Sequence, residues 1–325
     1  MKIGFCYDTK EDYGLKENDL DFTDFTTLHT VSSIKRAMEF KGFEVIMVGN
    51  IEKLKKKLIS ECDIDLFFNI AEGHGSRNRE ALIPSILEIY RKNHTGSDTY
   101  GMAINLHKHH TKALVNSLGI KVPKGIFFNK LDENVLSDVK KIGFPVVLKP
   151  NYGGGSMGVC LIQNIDEFIE KSTELFSKYG PDLVAEEYID GCEISVPIIG
   201  NGNSTEALGV VVALTKDGNN ISLYDSLMKY EDEIIRRVKT DKDGKKYSNI
   251  AEDSVKIHRF LGLFDYSRMD FRISEKGAFF LEANTMPSLS RGGTFEICAE
   301  KKGMSYPDVI EAIINAAIER TCNKI

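Results

Sequence analysis

The sequence predicts an α/β protein, α+β overall, built as more than one domain. Three observations carry that expectation. The 325 residues exceed what one average hydrophobic core accommodates. Residues 1–99 alternate strand-like and helix-like patterns, as parallel βαβ units do. Residues 267–287 read instead as an antiparallel hairpin, two alternating runs joined by Glu275-Lys276-Gly277.

Composition narrows the function classes. A net charge of −6 leaves no basic stripe to displace counterions from a phosphate backbone, so nucleic acid is not an expected partner. The opening MKIGFCYD has too short an apolar run for a signal peptide, and no later run is long enough to span a bilayer. A cytoplasmic location without membrane contact is therefore expected. Six cysteines (Cys6, Cys62, Cys160, Cys192, Cys298, Cys322) lack any Cys-x-x-Cys pair and read as free thiols. His107, His109 and His110 cluster without the i, i+4 spacing of a helical metal pair.

Taken in order, residues 2–7, 44–48 and 65–70 are strands. A helix faced by Leu28, Val31, Ile34 and Met38 and a Lys-rich helix at 51–60 alternate with them. Ligands of such sheets sit beyond the strands' carboxyl ends, where Asn69-Ile70-Ala71-Glu72-Gly73-His74-Gly75 falls; a plain connecting loop is the alternative. A helix with Pro84 in its first turn follows. A second unit begins near Tyr100, with an amphipathic helix at 106–118 carrying Lys108 and Lys112, a strand at 126–128 and a charged helix. The strand at 145–150 runs into Asn151-Tyr152-Gly153-Gly154-Gly155-Ser156-Met157-Gly158, then another strand at 159–162.

Residues 153–158 match G-x-G-x-x-G, but the next residues continue as strand where a dinucleotide loop would open a helix. Lys149 precedes the glycines, so this is no Walker A loop either. A glycine-rich hairpin between strands can still cover phosphates with backbone N–H groups while Lys149 reaches them from its strand. Beyond a helix at 165–178 come strands at 183–189, 194–199 and 207–214. Residues 224–250 read mostly as a solvated loop, with helices at 251–261 and 307–320 closing the chain.

A three-residue hairpin loop sets Ser274 opposite Ala278, Asp270 opposite Glu282 and Arg268 opposite Asn284. Met269, Phe271, Ile273, Phe279, Leu281 and Ala283 then share an apolar face. Arg268, Asp270, Arg272, Glu282 and Asn284 share the other. Opposed carboxylates repel unless a cation lies between them, and this oxygen set suits Mg²⁺. The alternative is a solvated face balanced by the two arginines.

With these motifs placed, the chain resembles the ATP-grasp superfamily, and within it the D-alanine–D-alanine ligases and their paralogues. The resemblance spans nearly the full length as an ordered series: N-I-A-E-G, T-G-S-D, T-K, V-V-L-K-P-N-Y-G-G-G-S-M-G, V-A-E-E-Y-I-D-G-C-E, Y-D-S-L-M-K-Y, D-Y-S-R-M-D-F-R and F-L-E-A-N-T-M-P. It implies three domains: a Rossmann-like unit over 1–99, a central unit with the glycine-rich loop over 100–185, and a third with lid and metal site over 186–325. ATP would lie between the second and third. The resemblance implies Lys112 and Lys149 on phosphates, with Gly154, Gly155 and Ser156 above them. It implies Glu186 and the backbone near Tyr188 on adenine, and Glu193 on ribose. Asp270, Glu282 and Asn284 would hold Mg²⁺, two ions in number, with Mn²⁺ an alternative. Arg268 would steady the transferring phosphate, and Lys229 and Tyr230 would belong to a mobile lid; the family's serine that pairs with that tyrosine reads Gly155 here, with Ser156 next door. A homodimer through the first domain is implied too.

The implied chemistry is two-step: ATP phosphorylates a carboxylate to an acyl phosphate, and an amine displaces phosphate. Departures lie in the amino-acid pockets. The family's early Gly-Gly…Glu-x-x-x-Ser stretch is absent, its His-Gly reads Glu72-Gly73, and its Pro-Gly and later serine read Pro287-Ser288 and Gly293, near Arg291. This favours a paralogue joining other amino-acid or peptide substrates, with Glu72 a candidate for an ammonium, Arg291 for a carboxylate and Ser288 a further candidate substrate residue. D-alanine dimerisation itself and a nucleotide-binding regulatory protein without turnover are the alternatives.

Overall fold

A computed structural model describes residues 1–16, 25–60, 63–221 and 234–322. Three sheets organise them. The first is parallel, in the order β2-β1-β3, from β1 (Lys2–Cys6), β2 (Glu44–Met47) and β3 (Leu66–Asn69). Helices α1 (Leu28–Phe40) and α2 (Ile51–Ile59) make its crossovers, and α3 (Leu82–Ile89) follows β3. Thr27 and Asn50 cap α1 and α2 by accepting the N–H of Thr30 and Lys53.

The expected helix at 106–118 is α5 (Lys108–Asn116), and a further helix, α4 (Thr99–Leu106), precedes it, the two meeting at His107. The His107 ring accepts the N–H of His110 at 3.2 Å and stacks on the His110 ring with centroids 3.4 Å apart. The imidazole therefore serves as a helix cap. Val115 and Ile120, in and after α5, join the apolar core of the third sheet.

The second sheet is antiparallel, β4-β7-β5-β6: β4 (Gly125–Phe128), β5 (Val146–Pro150), β6 (Cys160–Ile162) and β7 (Leu183–Glu187). Helices α6 (Glu133–Ile142) and α7 (Ile165–Tyr179) cover one face over a core that includes Phe128, Val139, Leu148 and Phe168.

The third sheet runs β11-β10-β8-β12-β13, with β9 (Glu206–Ala207) pairing β8. Its strands are β8 (Cys192–Ile199), β10 (Val210–Thr215), β11 (Ile234–Lys239), β12 (Tyr266–Ser274) and β13 (Gly277–Asn284). Helix α8 (Lys245–Phe260) packs on it, while α9 (Thr294–Lys301) and α10 (Tyr306–Cys322) join a core shared with the first sheet. The expectation of a loop over most of 224–250 is corrected here. Residues 234–239 pair along the whole of β10, and α8 begins at Lys245. Ile234–Lys239 looked like loop because, as an edge strand, it lacks a clean alternation and leaves Arg236 and Arg237 exposed.

The hairpin register is also corrected. Ser274 faces Gly277, so the turn holds two residues, and a bulge follows between Asp270 and Phe271. The shorter turn and the bulge cancel: Asp270 still faces Glu282, and Arg268 still faces Asn284. Side chains between them change face. Phe280, not Leu281, enters the core, edge-on to Phe271 at 5.6 Å, and Leu281 turns to the side of the acids.

Candidate active site

One cavity, about 110 Å³, lies where the second and third sheets meet. Lys149, Gly154, Ser156, Glu186, Tyr188, Glu193, Asp270 and Glu282 line it, eight of the residues the sequence singled out. Val147, Met157, Val159, Ile189 and Leu281 supply its apolar wall. Gly155, in the same turn but outside the lining, has φ +63, and Ser156 has φ +64, so the loop folds back through two left-handed residues.

Strand pairing explains how three charges meet. Val147 of β5 pairs with Glu186 of β7, and Lys149, two residues on, shares that face. On the other side Gly125 of β4 pairs with Glu186, and a Cβ there would stand 2.8 Å from the Glu186 Cγ. Glycine makes the room. Lys149 Nζ lies 2.9 Å from one Glu186 oxygen, and Lys112, reaching in from α5, contacts the other. Burial pushes the Lys112 ammonium down to about 7 against the opposing pull of Glu186. Burial also works to raise Glu186, but the two lysines win and hold it at about 2.

Asp270 is built into the third sheet. Its carboxylate accepts Arg268 Nε at 2.9 Å, the Ser195 hydroxyl from the facing strand β8 at 2.7 Å, and the Asn284 amide at 2.9 Å. Glu282 lies across from it, with Lys108 Nζ 4.0 Å away. Against burial, which would raise it, Lys108, Lys149, Arg268 and Lys112 hold Glu282 at about 2. Lys108 also donates to the Gly153 carbonyl, tying the glycine-rich loop to the acidic pair. Sequence reasoning noted Lys108 on its helix but gave it no role, and it passed over Ser195. Their positions depend on which strand and helix pack together, which no local pattern states.

Mg²⁺ is bound through one or two carboxylates, with substrate phosphates completing its shell. The donor set fits. Two in-register carboxylates stand beside an amide whose nitrogen is engaged by Asp270, leaving its oxygen for a cation. Among the described residues no three acids, histidines or cysteines form an all-protein cage.

At the far end of the cavity the guanidinium of Arg272 lies 5.2 Å from the Tyr188 ring centroid and 3.9 Å from Glu193. A Cβ at Gly191 would meet the Ile273 carbonyl oxygen at 2.0 Å, so only glycine lets this turn press against β12. The Tyr188 N–H is already donated to Pro145 O.

Three residues stand elsewhere. Glu72 pairs with Arg79 at 3.6 Å and lines a second cavity of about 350 Å³, with Arg77, Tyr152 and Tyr179. That cavity meets the first at Pro150, Gly153 and Met157. Ser288 is exposed and hydrogen-bonds Ser290. Arg291 pairs with Glu296 at 2.7 Å and stacks 4.8 Å from the Tyr306 ring, facing α1. The structure thus does not place Ser288 or Arg291 in the cavity, because the chain after Pro287 turns toward α9. Lys229 and Tyr230 lie outside the described residues.

Three sheets with a lysine- and acid-lined cavity between the last two define an ATP-grasp enzyme, an ATP-dependent carbon–nitrogen ligase of a class that uses a divalent metal. Solved structures bear out the fold. The D-alanine–D-alanine ligase of Bacillus anthracis, complexed with ATP, superposes with a TM-score of 0.76 at 20% identity, covering 100% of this chain and 99% of that one. The VanG D-Ala:D-Ser ligase of Enterococcus faecalis gives 0.75 at 17% identity, covering 97% and 99%. Residues 114–315 match the family described as D-ala D-ala ligase C-terminus. The D-alanine–D-alanine ligase of Aquifex aeolicus is 32% identical over 289 residues, 89% of this chain and 94% of the relative. The chain belongs to the D-alanine–D-alanine ligase family.

Proposed function

We propose that the protein joins a carboxylate to an amine through an acyl phosphate, releasing ADP and phosphate, on amino-acid or peptide substrates other than two D-alanines. The in-register pair Asp270 and Glu282, set against Lys108 and Lys149 around one cavity with Lys112 on Glu186 beside it, is the observation that carries the phosphoryl-transfer half. ATP would lie in that cavity between the second and third sheets, and the domain boundary expected at 185 would fall after β7 (Leu183–Glu187), which pairs wholly within the second sheet. Asp270, Glu282 and Asn284 would hold Mg²⁺, two ions or Mn²⁺ in its place. The metal would supply charge neutralisation on the phosphates. Arg268, fixed by Asp270, would face the transferring group, and Ser156, Lys229 and Tyr230 would shield the acyl phosphate from water.

The substrate half is read from what replaces the family's pockets. At the end of β1 stands Asp8, fully buried, where its carboxylate accepts the N–H groups of Glu72 and Gly73 at 3.0 and 2.8 Å and the Tyr13 hydroxyl at 2.9 Å. That clamp fixes the Glu72 turn, which lines the cavity of about 350 Å³ beside it. The enzyme would work in the cytoplasm, as a homodimer through its first domain.

Incubation with amino-acid and dipeptide mixtures, ATP and Mg²⁺ tests this: ADP and a new amide, seen by mass spectrometry, are expected. AMP and pyrophosphate would refute the mechanism. A second reading, D-alanine dimerisation, is favoured by the full-length similarity to the Aquifex aeolicus enzyme; D-alanine stimulating ADP release above every other substrate would establish it.

A further inference from the structure

The charges lining the second cavity fall into two that have partners and two that do not. Glu72 lies 3.6 Å from Arg79, which also pairs with Glu80 at 3.2 Å. Glu80 in turn accepts the Thr285 hydroxyl at 3.0 Å. Arg77 and Asp182 line the same cavity, and among the described residues neither makes an ion pair, with the other or with any third group.

Each is fixed in place without its charge being neutralised. The Arg77 guanidinium lies 5.8 Å from the Tyr152 ring centroid, with Nη1 3.4 Å from the Tyr152 hydroxyl. Tyr152 is itself braced edge-on by the His107 ring at 5.2 Å. Asp182, in the turn ahead of β7, accepts the Asn151 N–H at 2.8 Å through its backbone carbonyl, which leaves the carboxylate uncommitted. A lone anion in this cavity would meet Asp182, and a lone cation would meet Arg77. A group that carries both charges complements both. The cavity, about 350 Å³, has room for one, and it meets the first cavity at Pro150, Gly153 and Met157.

We propose that the second cavity binds the intact α-amino-acid head of the carboxylate substrate, its α-carboxylate on Arg77 and Tyr152 and its α-ammonium on Asp182. The inference rests on the ligase reading above and names its substrate class, an amino acid activated at a side-chain carboxylate. The glycine-rich turn that borders this cavity at Gly153 is the one that would cover the transferring phosphate, so a substrate reaching past it is the one phosphorylated. An α-carboxylate held by Arg77 is not the reacting group. The side chain runs on to the first cavity, where a terminal carboxylate oxygen attacks the γ-phosphorus and the bond from that phosphorus to ADP breaks. The amine nitrogen then attacks the acyl carbon, phosphate leaves with the C–O bonding pair, and the nitrogen gives up a proton.

Hydroxylamine in place of the amine traps an acyl phosphate as a hydroxamate, whose position marks the activated carboxylate. The full chain is incubated with Mg·ATP, hydroxylamine and one acid at a time. The acids are both enantiomers of aspartate, glutamate and 2-aminoadipate, their N-acetyl and α-amide forms, and D-alanine. Tandem mass spectrometry should place the hydroxamate on the side chain of an unblocked diacid. The blocked forms should be poorer in kcat/KM by about ten- to hundredfold, the worth of one hydrogen bond to a charged group. Arg77→Gln should raise KM for the diacid by a similar factor while leaving its α-amide unaffected, and Arg77→Lys should recover part of the loss. Asp182→Asn should act likewise on the diacid and spare the N-acetyl form. KM for ATP should hold in every variant. Equal losses for blocked and unblocked acids would overturn the inference, as would no change in any KM. An α-hydroxamate, or D-alanine trapped in preference to every diacid, would overturn it too and leave the acyl-phosphate chemistry standing. No hydroxamate from any acid would overturn the ligase reading and this inference with it.

Discussion

The cavity between the second and third sheets and the one beside Glu72 meet at three residues yet are built by different means. The first is written on strands. Glu186, Lys149, Asp270, Glu282 and Ser195 all hang from paired backbone whose register fixes them to one another. The second is written on loops: Glu72 to Arg79 after β3, the turn after Pro150, and the end of α7. Its one rigid anchor is the Asp8 carboxylate beneath the Glu72 turn. Ladders of backbone hydrogen bonds hold charged groups in place through many small contributions, whereas a loop can be rewritten without disturbing a core. A family that keeps its phosphate chemistry while changing what it joins is expected to look like this.

Breaking the strand-borne site should have the largest effect. Glu282→Gln removes an acid but no packing, so turnover should fall by more than the roughly hundredfold typical of a merely supporting metal partner. The melting temperature should barely move; undiminished activity would sink the metal assignment.

The bulge in β12–β13 gives the next effect. Phe280 is fully buried against Phe271, while Phe279 lies beneath the Lys121 ammonium at 5.7 Å. Phe280→Ala should cost about 3–5 kcal/mol by denaturant titration and Phe279→Ala distinctly less. A larger loss for Phe279→Ala than for Phe280→Ala would restore the simple three-residue turn.

The loop-borne site is probed by Asp8→Asn. The amide keeps the shape but weakens the charge-assisted bonds to Glu72 and Gly73, so KM for the amino-acid substrate should rise about tenfold, the equivalent of one lost bond of that kind. KM for ATP should stay put. A change in the ATP term instead would join the two cavities into one functional unit.

Acid titration sharpens the contrast further. Glu186 is held at about 2, below the usual glutamate value, so its contribution to stability is present above that usual value, about 4.3. It is lost as pH falls toward 2. Urea midpoints of the wild type should drop across that window, and those of Glu186→Gln, which starts lower, should drop less. The smallest effect is expected from Arg291→Ala. A pair between the exposed Arg291 and the buried Glu296, which also accepts the Gly292 N–H, and a stack on Tyr306 are worth about 1 kcal/mol together. Neither KM should change twofold.

Much of this was legible without a structure. The order of Lys112, Lys149, the glycine-rich loop, Glu186, Glu193, Asp270, Glu282 and Asn284 announced the fold, because charges placed on strands at fixed spacing leave a trace in sequence. Even there, the partner of Asp270 came out right through two opposing errors, a turn one residue too long and an unseen bulge. A bulge is a choice made by packing, since Phe280 and not Leu281 fits against Phe271. The edge strand Ile234–Lys239 hid for a related reason: it lacks a clean alternation, and its pattern matches that of a loop.

The sequence by itself, through its ordered resemblance to the ATP-grasp ligases, determined the class of chemistry; its hairpin register alone pointed to no more than a divalent-cation site. Only the tertiary structure decided which charges share a cavity. Glu186 lies between two lysines, Lys108 joins the acids, and Ser288 and Arg291 lie outside the cavity. The reason is physical: pairing along one element is written in periodicity, but contact between elements depends on how their faces pack.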